Sequence, residues 1–143
     1  MGRMPLPDRY ELILGAPHVD EYRALRADAG LSPKSHAQSA AAIAGTWFFC
    51  HVRDRATSTL VAMGRVIGDG GWYFHIADIA THPDHQGAGL GRTVLDTLTA
   101  HIHATAPPDA YITLIADPPG RRLYEKAGFI DTDPSRGMRL ATP

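Results

Sequence analysis

The chain has 143 residues, 44% of them hydrophobic and 20% charged, which is enough apolar material for a single folded domain spanning 1–143. Its 14 basic and 15 acidic residues nearly cancel, so no general attraction to nucleic acid or to anionic membranes is expected. The single cysteine, Cys50, excludes an intramolecular disulfide, and no apolar run approaches the roughly 20 residues that cross a bilayer. With no secretory pattern in residues 1–8, these features predict a cytoplasmic protein.

The N-terminal part of the chain predicts one strand followed by two helices. The strand covers 10–14, and Pro17 then opens an amphipathic helix that ends at Gly30. Ser32 and Pro33 predict the start of an Ala-rich second helix, because a serine hydroxyl caps free amides and proline suits a first turn.

The rest of the chain predicts a sheet flanked by helices. Aromatic and β-branched runs indicate three strands of an antiparallel meander, at 46–53, 59–67 and 72–81. An apolar stripe from Leu90 to Ile102 predicts a central helix that Pro107 and Pro108 end. The shorter elements that follow are a strand at 111–116, a helix at 121–126 and a final strand or hairpin at 129–140. This order predicts an α+β fold with a mixed sheet and helices on both faces.

A glycine-rich run, in the segment DIATHPDHQGAGLGR at 78–92, leads from the end of a strand into the central helix. Gly87, Gly89 and Gly91 allow the backbone to turn tightly and approach a ligand, while the first amides of the helix favour a phosphate. A simple turn is the alternative interpretation. The sequence does not predict the dinucleotide-binding pattern, a parallel βαβ unit with an acidic residue roughly 20 positions later, and it lacks the Gly-Lys-Ser/Thr of a P-loop.

Two motifs resemble the GNAT superfamily of N-acetyltransferases. Gln86, Gly89 and Gly91 match its Q-x-x-G-x-G pyrophosphate loop, and LYEKAGF at 123–129 resembles a second signature of the family. The resemblance implies a mostly antiparallel sheet of six to seven strands, splayed between the fourth and fifth, with acetyl-CoA as cosubstrate and no metal. Asp117 departs from the pattern, because the family usually has asparagine there.

The resemblance also implies which residues bind acetyl-CoA. In the family, the pantetheine arm lies between the splayed strands, and the pyrophosphate lies in the glycine loop. The residues that this implies are Ile79, Ala80, Thr81, Gln86, Gly87, Ala88, Gly89, Leu90, Gly91, Arg92, Asp117 and Arg121. For Arg92, Arg121 and the neighbouring Arg122, an ordinary exposed arginine is the alternative.

Candidate catalytic residues come from the same two segments. Tyr124 matches the family's tyrosine near the CoA sulfur, which implies a general acid, although a packing role is the alternative. Asp78 is a candidate base just before the acetyl site, or else it fixes a turn or holds a neighbouring donor. His75 and His82 are rival bases, because the histidine pKa suits proton transfer.

The resemblance implies an acceptor site beside the first two helices, which usually form its wall in this family. Tyr22 and Arg26 lie one turn apart on the first helix and are candidate substrate contacts, although Tyr22 also suits the core. The predicted acceptor is a primary amine of a small molecule that attacks directly. A peptide or protein amine, and a non-catalytic acyl-CoA-binding module, are the alternatives. No nucleic acid or membrane partner is expected, and because sheet edges of this family self-associate, the resemblance implies a homodimer.

Overall fold

A five-stranded sheet forms the centre of the protein, whose computed structural model describes residues 5–142. In chain order the strands are β1 (Tyr10–Leu14), β2 (Phe48–Asp54), β3 (Leu60–Gly68), β4 (Tyr73–Thr81) and β5 (Tyr111–Leu114). The helices are α1 (Val19–Asp28), α2 (His36–Ala44), α3 (Leu90–Thr105) and α4 (Arg121–Lys126). Strands that follow each other in sequence are neighbours in the sheet. The first four are antiparallel and β5 runs parallel to β4, which confirms the predicted α+β class with a mixed sheet.

Helices cover both faces of the sheet. On one face, α3 packs its apolar stripe against β2, β3 and β4, and the fully buried residues of that stripe are Leu90, Val94, Leu95, Leu98 and Ile102. On the other face, Tyr22 and Leu25 of α1 pack against Phe49 and Met63 of the sheet. Each such side chain stabilises the fold by roughly 1.5–3 kcal/mol. Within residues 5–142, no helix combines the length and apolarity that spanning a membrane requires.

The start of α2 differs from the prediction by three residues. Ser35 caps this helix, because its Oγ accepts the Gln38 amide at 3.0 Å while its own amide donates to Oε1 of Gln38 at 2.9 Å. Ser32 has a different use, since its carbonyl accepts two hydrogen bonds from the guanidinium of Arg26. The capping box of Ser35 and Gln38 therefore sets the start of α2, and the Ser32-Pro33 pair does not.

The predicted final strand at 129–140 is wrong, so the described residues form five strands and not six to seven. This segment turns at 132–135, where the Ser135 amide donates to the Thr132 carbonyl at 2.9 Å. Its apolar side chains do not alternate onto a buried face, since Ile130, Met138 and Leu140 are 88%, 94% and 94% exposed. Without a buried face, the segment gains little from pairing with the sheet.

Candidate active site

β4 and β5 pair at one end and then part. The parallel pairing runs from Tyr73 opposite Tyr111 to Ile76 opposite Leu114. β4 continues beyond this point, so in the described part of the chain its edge over 77–81 has no strand partner on the β5 side. Ile79, Ala80 and Thr81, which the resemblance implies as acetyl-CoA-binding residues, all lie on this open edge. Their backbone groups can therefore bind such a ligand as an added strand.

A β-bulge in β4 lies within the open stretch. The paired residues on its two sides are Met63 with Ala80 and Arg65 with Ala77. Asp78 and Ile79 thus lie opposite the single residue Gly64, and Asp78 adopts a φ of 57°. A Cβ at Gly64 would lie 2.6 Å from Cδ1 of Ile79, so glycine makes room for this side chain. The bulge directs Asp78 to α1, whereas Ile79 packs toward α3.

The carboxylate of Asp78 is held by three side chains. The Tyr22 hydroxyl donates to its Oδ2 at 2.5 Å, Nε of Arg65 donates to the same oxygen at 2.7 Å, and Arg26 forms an ion pair with Oδ1. Burial acts to raise the pKa of Asp78, but the hydrogen bonds from Tyr22 and Arg65 and the two positive charges outweigh it and hold this pKa below its usual value. A carboxylate bonded in this way is a poor proton acceptor. The geometry therefore does not support the predicted base and favours the alternative, in which Asp78 holds neighbouring donors.

Tyr22 and Arg26, the candidate substrate contacts on α1, both bond the carboxylate of Asp78. Tyr22 is only 2% exposed, and its ring packs edge-on against Phe49. Arg26 borders the cavity described below, yet its Nε and Nη2 donate to the Ser32 carbonyl at 3.2 and 2.8 Å. Because these groups are bonded within the chain, both residues position α1 against the bulge.

A cavity of about 230 Å³ opens where β4 and β5 part. Four elements line it or flank it: α1 through Arg26, β4 through His75 and Asp78, the end of β5 through Leu114, and α4 through Tyr124. The structure thus brings the predicted catalytic tyrosine and the open edge of β4 to one place. Among the described residues, no three His, Cys, Asp or Glu side chains are grouped as a metal site would require.

Tyr124 lines this cavity, and its hydroxyl has no hydrogen-bond partner among residues 5–142. Its ring lies against Gly120, where an added Cβ would be 2.8 Å from ring Cε2. Burial, and then the negative charge of Asp117, raise the pKa of Tyr124 above its usual value. Tyr124 therefore carries its proton at neutral pH. Asp117 itself borders the cavity at the start of the 3₁₀ turn Pro118–Gly120.

The glycine loop has the open geometry that an anion site requires. Gly87 and Gly89 have φ angles of 85° and 81°, and an added Cβ at either would meet no atom within 4 Å. Gly89 caps α3 without a side-chain hydrogen bond, and the first turn contains no acidic residue. The first amides of this 16-residue helix therefore lack internal partners. Gly91 is closely packed, because its Cβ would lie 3.3 Å from Leu123 of α4.

The other loop residues have different surroundings. Gln86 is exposed, Ala88 packs against the core, and Leu90 is 1% exposed and anchors the helix start. Arg92 Nε donates to both carboxylate oxygens of Asp96, at 3.1 and 2.9 Å, and Arg121 Nε donates to the Ala116 carbonyl at 3.4 Å. Phosphate binding by the two arginines stays a prediction.

The sequence did not single out Arg65 as a site residue, and it did not distinguish His75 from His82 as a candidate base. Arg65 is the one charged residue in the otherwise apolar strand LVAMGRVIG, and a charge in such a run requires a partner. Of the two histidines, only His75 lines the cavity. His82 lies outside it, with Nδ1 accepting the Asp84 amide at 3.1 Å.

Comparison with known proteins identifies the fold. Residues 31–139 match the family model of the acetyltransferase (GNAT) domain. A solved structure from meticillin-resistant Staphylococcus aureus, described as a probable acetyltransferase, superposes with a TM-score of 0.86 at 35% identity, covering 93% of this chain and 99% of its own. The two structures are therefore similar over nearly their whole length.

Two curated relatives are similar over part of their length. An uncharacterized N-acetyltransferase, ycf52, of Pyropia yezoensis is 39% identical over 84 residues, which cover 58% of this chain and 47% of the relative. Serotonin N-acetyltransferase 2, chloroplastic, of Oryza sativa subsp. japonica is 35% identical over 91 residues, covering 61% of this chain and 44% of the relative. The chain spans about half the length of the curated relatives it matches. With the family model matching well over half of its residues, the chain belongs to the GNAT family of acetyltransferases.

Proposed function

We propose that this protein transfers the acetyl group of acetyl-CoA to a primary amine of a small molecule, by direct attack of the amine. The observation that carries the proposal is that the open edge of β4 and Tyr124, whose hydroxyl is unbonded within residues 5–142, line one cavity. Family membership supports acetyl transfer in general. The class of acceptor and the direct attack are part of the proposal and do not follow from family membership.

The glycine loop fits a pyrophosphate. The space over Gly87 and Gly89 is empty, so a ligand can approach the backbone closely there. Unpartnered amides and the positive end of the α3 dipole attract a negative group at the same point. With a net charge of only -1 on the whole chain, this attraction must be local. Acetyl-CoA bound here supplies an acetyl thioester and a thiol leaving group.

The residues of β4 hold and polarise the reacting group. Backbone groups of 77–81 are free to pair with an extended arm that runs from the loop toward the cavity. An amide exposed by the bulge at Asp78 and Ile79 can donate to a carbonyl oxygen that becomes negative during attack. The ion pairs of Asp78 keep the bulge in one conformation, so this donor is positioned in advance.

Tyr124 serves as the general acid. Its hydroxyl is protonated at neutral pH, borders the cavity and has no competing partner in residues 5–142. Proton donation from this oxygen to the departing sulfur avoids release of a free thiolate. A packing role alone would not require an uncommitted hydroxyl.

A small amine suits the cavity. Its volume of about 230 Å³ lies below the usual range of roughly 300–1,000 Å³ for ligand pockets, which disfavours a bulky acceptor. The rice relative carries the name of serotonin, a small-molecule amine, as its substrate. We therefore place small amines ahead of a peptide or protein amine.

The test is an acetyl-CoA-dependent thiol-release screen over small amines, amino acids, polyamines and peptides, with product mass measured in parallel. Acetylation of a small amine at its nitrogen, lost on Gly89→Val, supports the proposal. Acetylation of peptides alone would overturn the acceptor class. Calorimetric binding of acetyl-CoA without transfer to any acceptor would favour a non-catalytic acyl-CoA-binding module.

A further inference from the structure

His75 lies at the point where β4 and β5 part, next to the cavity. It pairs in register with Thr113 of β5, and its Nδ1 lies 3.0 Å from Oγ1 of Thr113. Oγ1 in turn donates to the carbonyl oxygen of Phe74 at 3.4 Å. The ring is half-buried and borders the cavity that also contains Tyr124.

The hydrogen bonds of Thr113 favour one of the two neutral tautomers of His75. The hydroxyl of Thr113 has one hydrogen, which the Phe74 carbonyl oxygen accepts in the hydrogen bond of 3.4 Å. With that hydrogen committed, Oγ1 accepts from His75, and this pattern favours the neutral tautomer that carries its hydrogen on Nδ1. In the neutral ring, the lone pair is then on Nε2. No group in the described part of the chain is hydrogen-bonded to Nε2.

We propose that Nε2 of His75 is the general base that accepts a proton from the acceptor ammonium, with Thr113 as its positioning residue. The inference rests on the proposed function. Asp78, the other candidate in the cavity, is occupied by Tyr22, Arg26 and Arg65. His75 has a free basic nitrogen on the same wall.

Burial and a neighbouring positive charge keep His75 neutral. The groups around the cavity are Arg26 of α1, Arg65 of β3, Asp78 of β4, and Asp117 and Tyr124 on the α4 side. Burial, and then the positive charge of Arg65, lower the pKa of His75 below the usual histidine value. Nε2 is therefore unprotonated at neutral pH and becomes protonated, and inactive, as the pH falls.

The proton balance is complete. An N–H bond of the acceptor ammonium breaks and its proton forms a bond to Nε2, so His75 becomes a cation and the amine neutral. The amine nitrogen then forms the bond to the acetyl carbon, and the carbon–sulfur bond breaks. Tyr124 gives its proton to the sulfur. The nitrogen of the new amide loses its second proton to solvent, and His75 and Tyr124 return to their starting forms by exchange with water.

The first test needs no substrate. In 15N-labelled protein, NMR of the imidazole ring should show the Nδ1–H form in the wild type and a mixture of both forms in Thr113→Val. An Nε2–H form in the wild type would overturn the proposal, because that nitrogen would then have no lone pair. This readout is independent of acetyl transfer.

The second test uses the acceptor found in the thiol-release screen. We expect His75→Gln to lower kcat/KM by about 10²-fold or more and to remove the acidic limb of its pH profile. The loss should shrink for an acceptor whose amine pKa lies below the assay pH, because that amine needs no base. His103→Gln, an exposed histidine on α3, is the matched control and should match the wild type.

The outcomes separate this inference from the proposed function. An unchanged pH profile in an active His75→Gln enzyme would overturn the base but leave acetyl transfer intact. Circular dichroism would show whether His75→Gln unfolds. If it does, the loss of kcat/KM in Thr113→Val is compared between acceptors of low and of high amine pKa. Equal losses for the two kinds of acceptor would overturn the proposal. A wild type that transfers acetyl to no acceptor would overturn both.

Discussion

Nε of Arg65 on β3 and Oδ2 of Asp78 on β4 lie 2.7 Å apart at the bulge of β4. Arg26 and Tyr22 reach the same carboxylate from α1. One side chain from β4 thus ties the first helix to the sheet beside the cavity. The side chains of Arg26, Arg65 and Asp78 are 10%, 13% and 8% exposed, so solvent screens their interactions weakly.

Removal of the Asp78 charge should destabilise the protein. Asp78→Asn leaves two largely buried guanidinium groups without their anion, and breaking a buried pair in this way costs about 3–5 kcal/mol. Urea unfolding measures the change in the free energy of unfolding. Asp84→Asn is the control, because the Asp84 side chain is 84% exposed. Equal effects of the two substitutions would contradict the structural role of Asp78.

The stabilisation by Asp78 should depend on pH in a defined direction. Because the pKa of Asp78 is lower in the folded than in the unfolded protein, the folded state binds fewer protons in the range between the two values. The contribution is complete above the unfolded pKa of about 4 and is lost as the pH falls through the folded value. The stability difference between wild type and Asp78→Asn should therefore narrow below about pH 4. A constant difference down to acid unfolding would refute this.

Gly64 should not tolerate a methyl group. Its Cβ would lie 2.6 Å from Cδ1 of Ile79 and from Cγ1 of Val94, so Gly64→Ala forces the bulge and α3 apart. Overpacking of this kind costs typically about 1–3 kcal/mol. Thermal unfolding provides the measurement, and Gly71→Ala is the control because its Cβ would meet ordinary contacts at 3.5 Å. Adding Ile79→Val, which removes Cδ1, should recover part of the loss.

A side chain at Gly89 should weaken the binding of acetyl-CoA. Gly89 has a φ of 81°, which a β-branched residue strongly resists, so Gly89→Val distorts the start of α3 where the free amides lie. Isothermal titration calorimetry measures the affinity. Gly30→Val is a matched control, because Gly30 has a φ of 82° and equally open space but lies outside the loop. Unchanged affinity in a folded Gly89→Val protein would remove the loop from the binding site.

Loss of the Tyr124 hydroxyl should slow the chemical step. Tyr124→Phe keeps the ring against Gly120 and removes the candidate acid, so we expect kcat to fall by about 10²-fold or more with acetyl-CoA affinity retained. Single-turnover measurements at several pH values isolate this step from product release. Tyr10→Phe is the control, since it removes a hydroxyl that bonds His85 outside the cavity. A chemical step at the parent rate in Tyr124→Phe would return Tyr124 to a packing role.

The sequence motifs anticipated the fold and the general place of the site, but not the state of each side chain. Five of the predicted strands, the central helix and the glycine loop depend on local patterns, and the structure contains them. Tyr22 and Asp78 were separate candidates in the sequence, 56 residues apart. Their direct contact follows from the packing of α1 on β4, which no local pattern encodes.

Local sequence determined the elements of this protein, because apolar periodicity, capping residues and glycines act over a few neighbours along the chain. It also determined the loop, since Gly87 and Gly89 need only their own backbone freedom. The tertiary structure decided the roles of the polar residues. Burial beside Arg65 committed Asp78 to an ion pair, and contact with Thr113 left Nε2 of His75 free. Protonation and hydrogen bonding depend on groups that are close in space, so only the folded arrangement sets them.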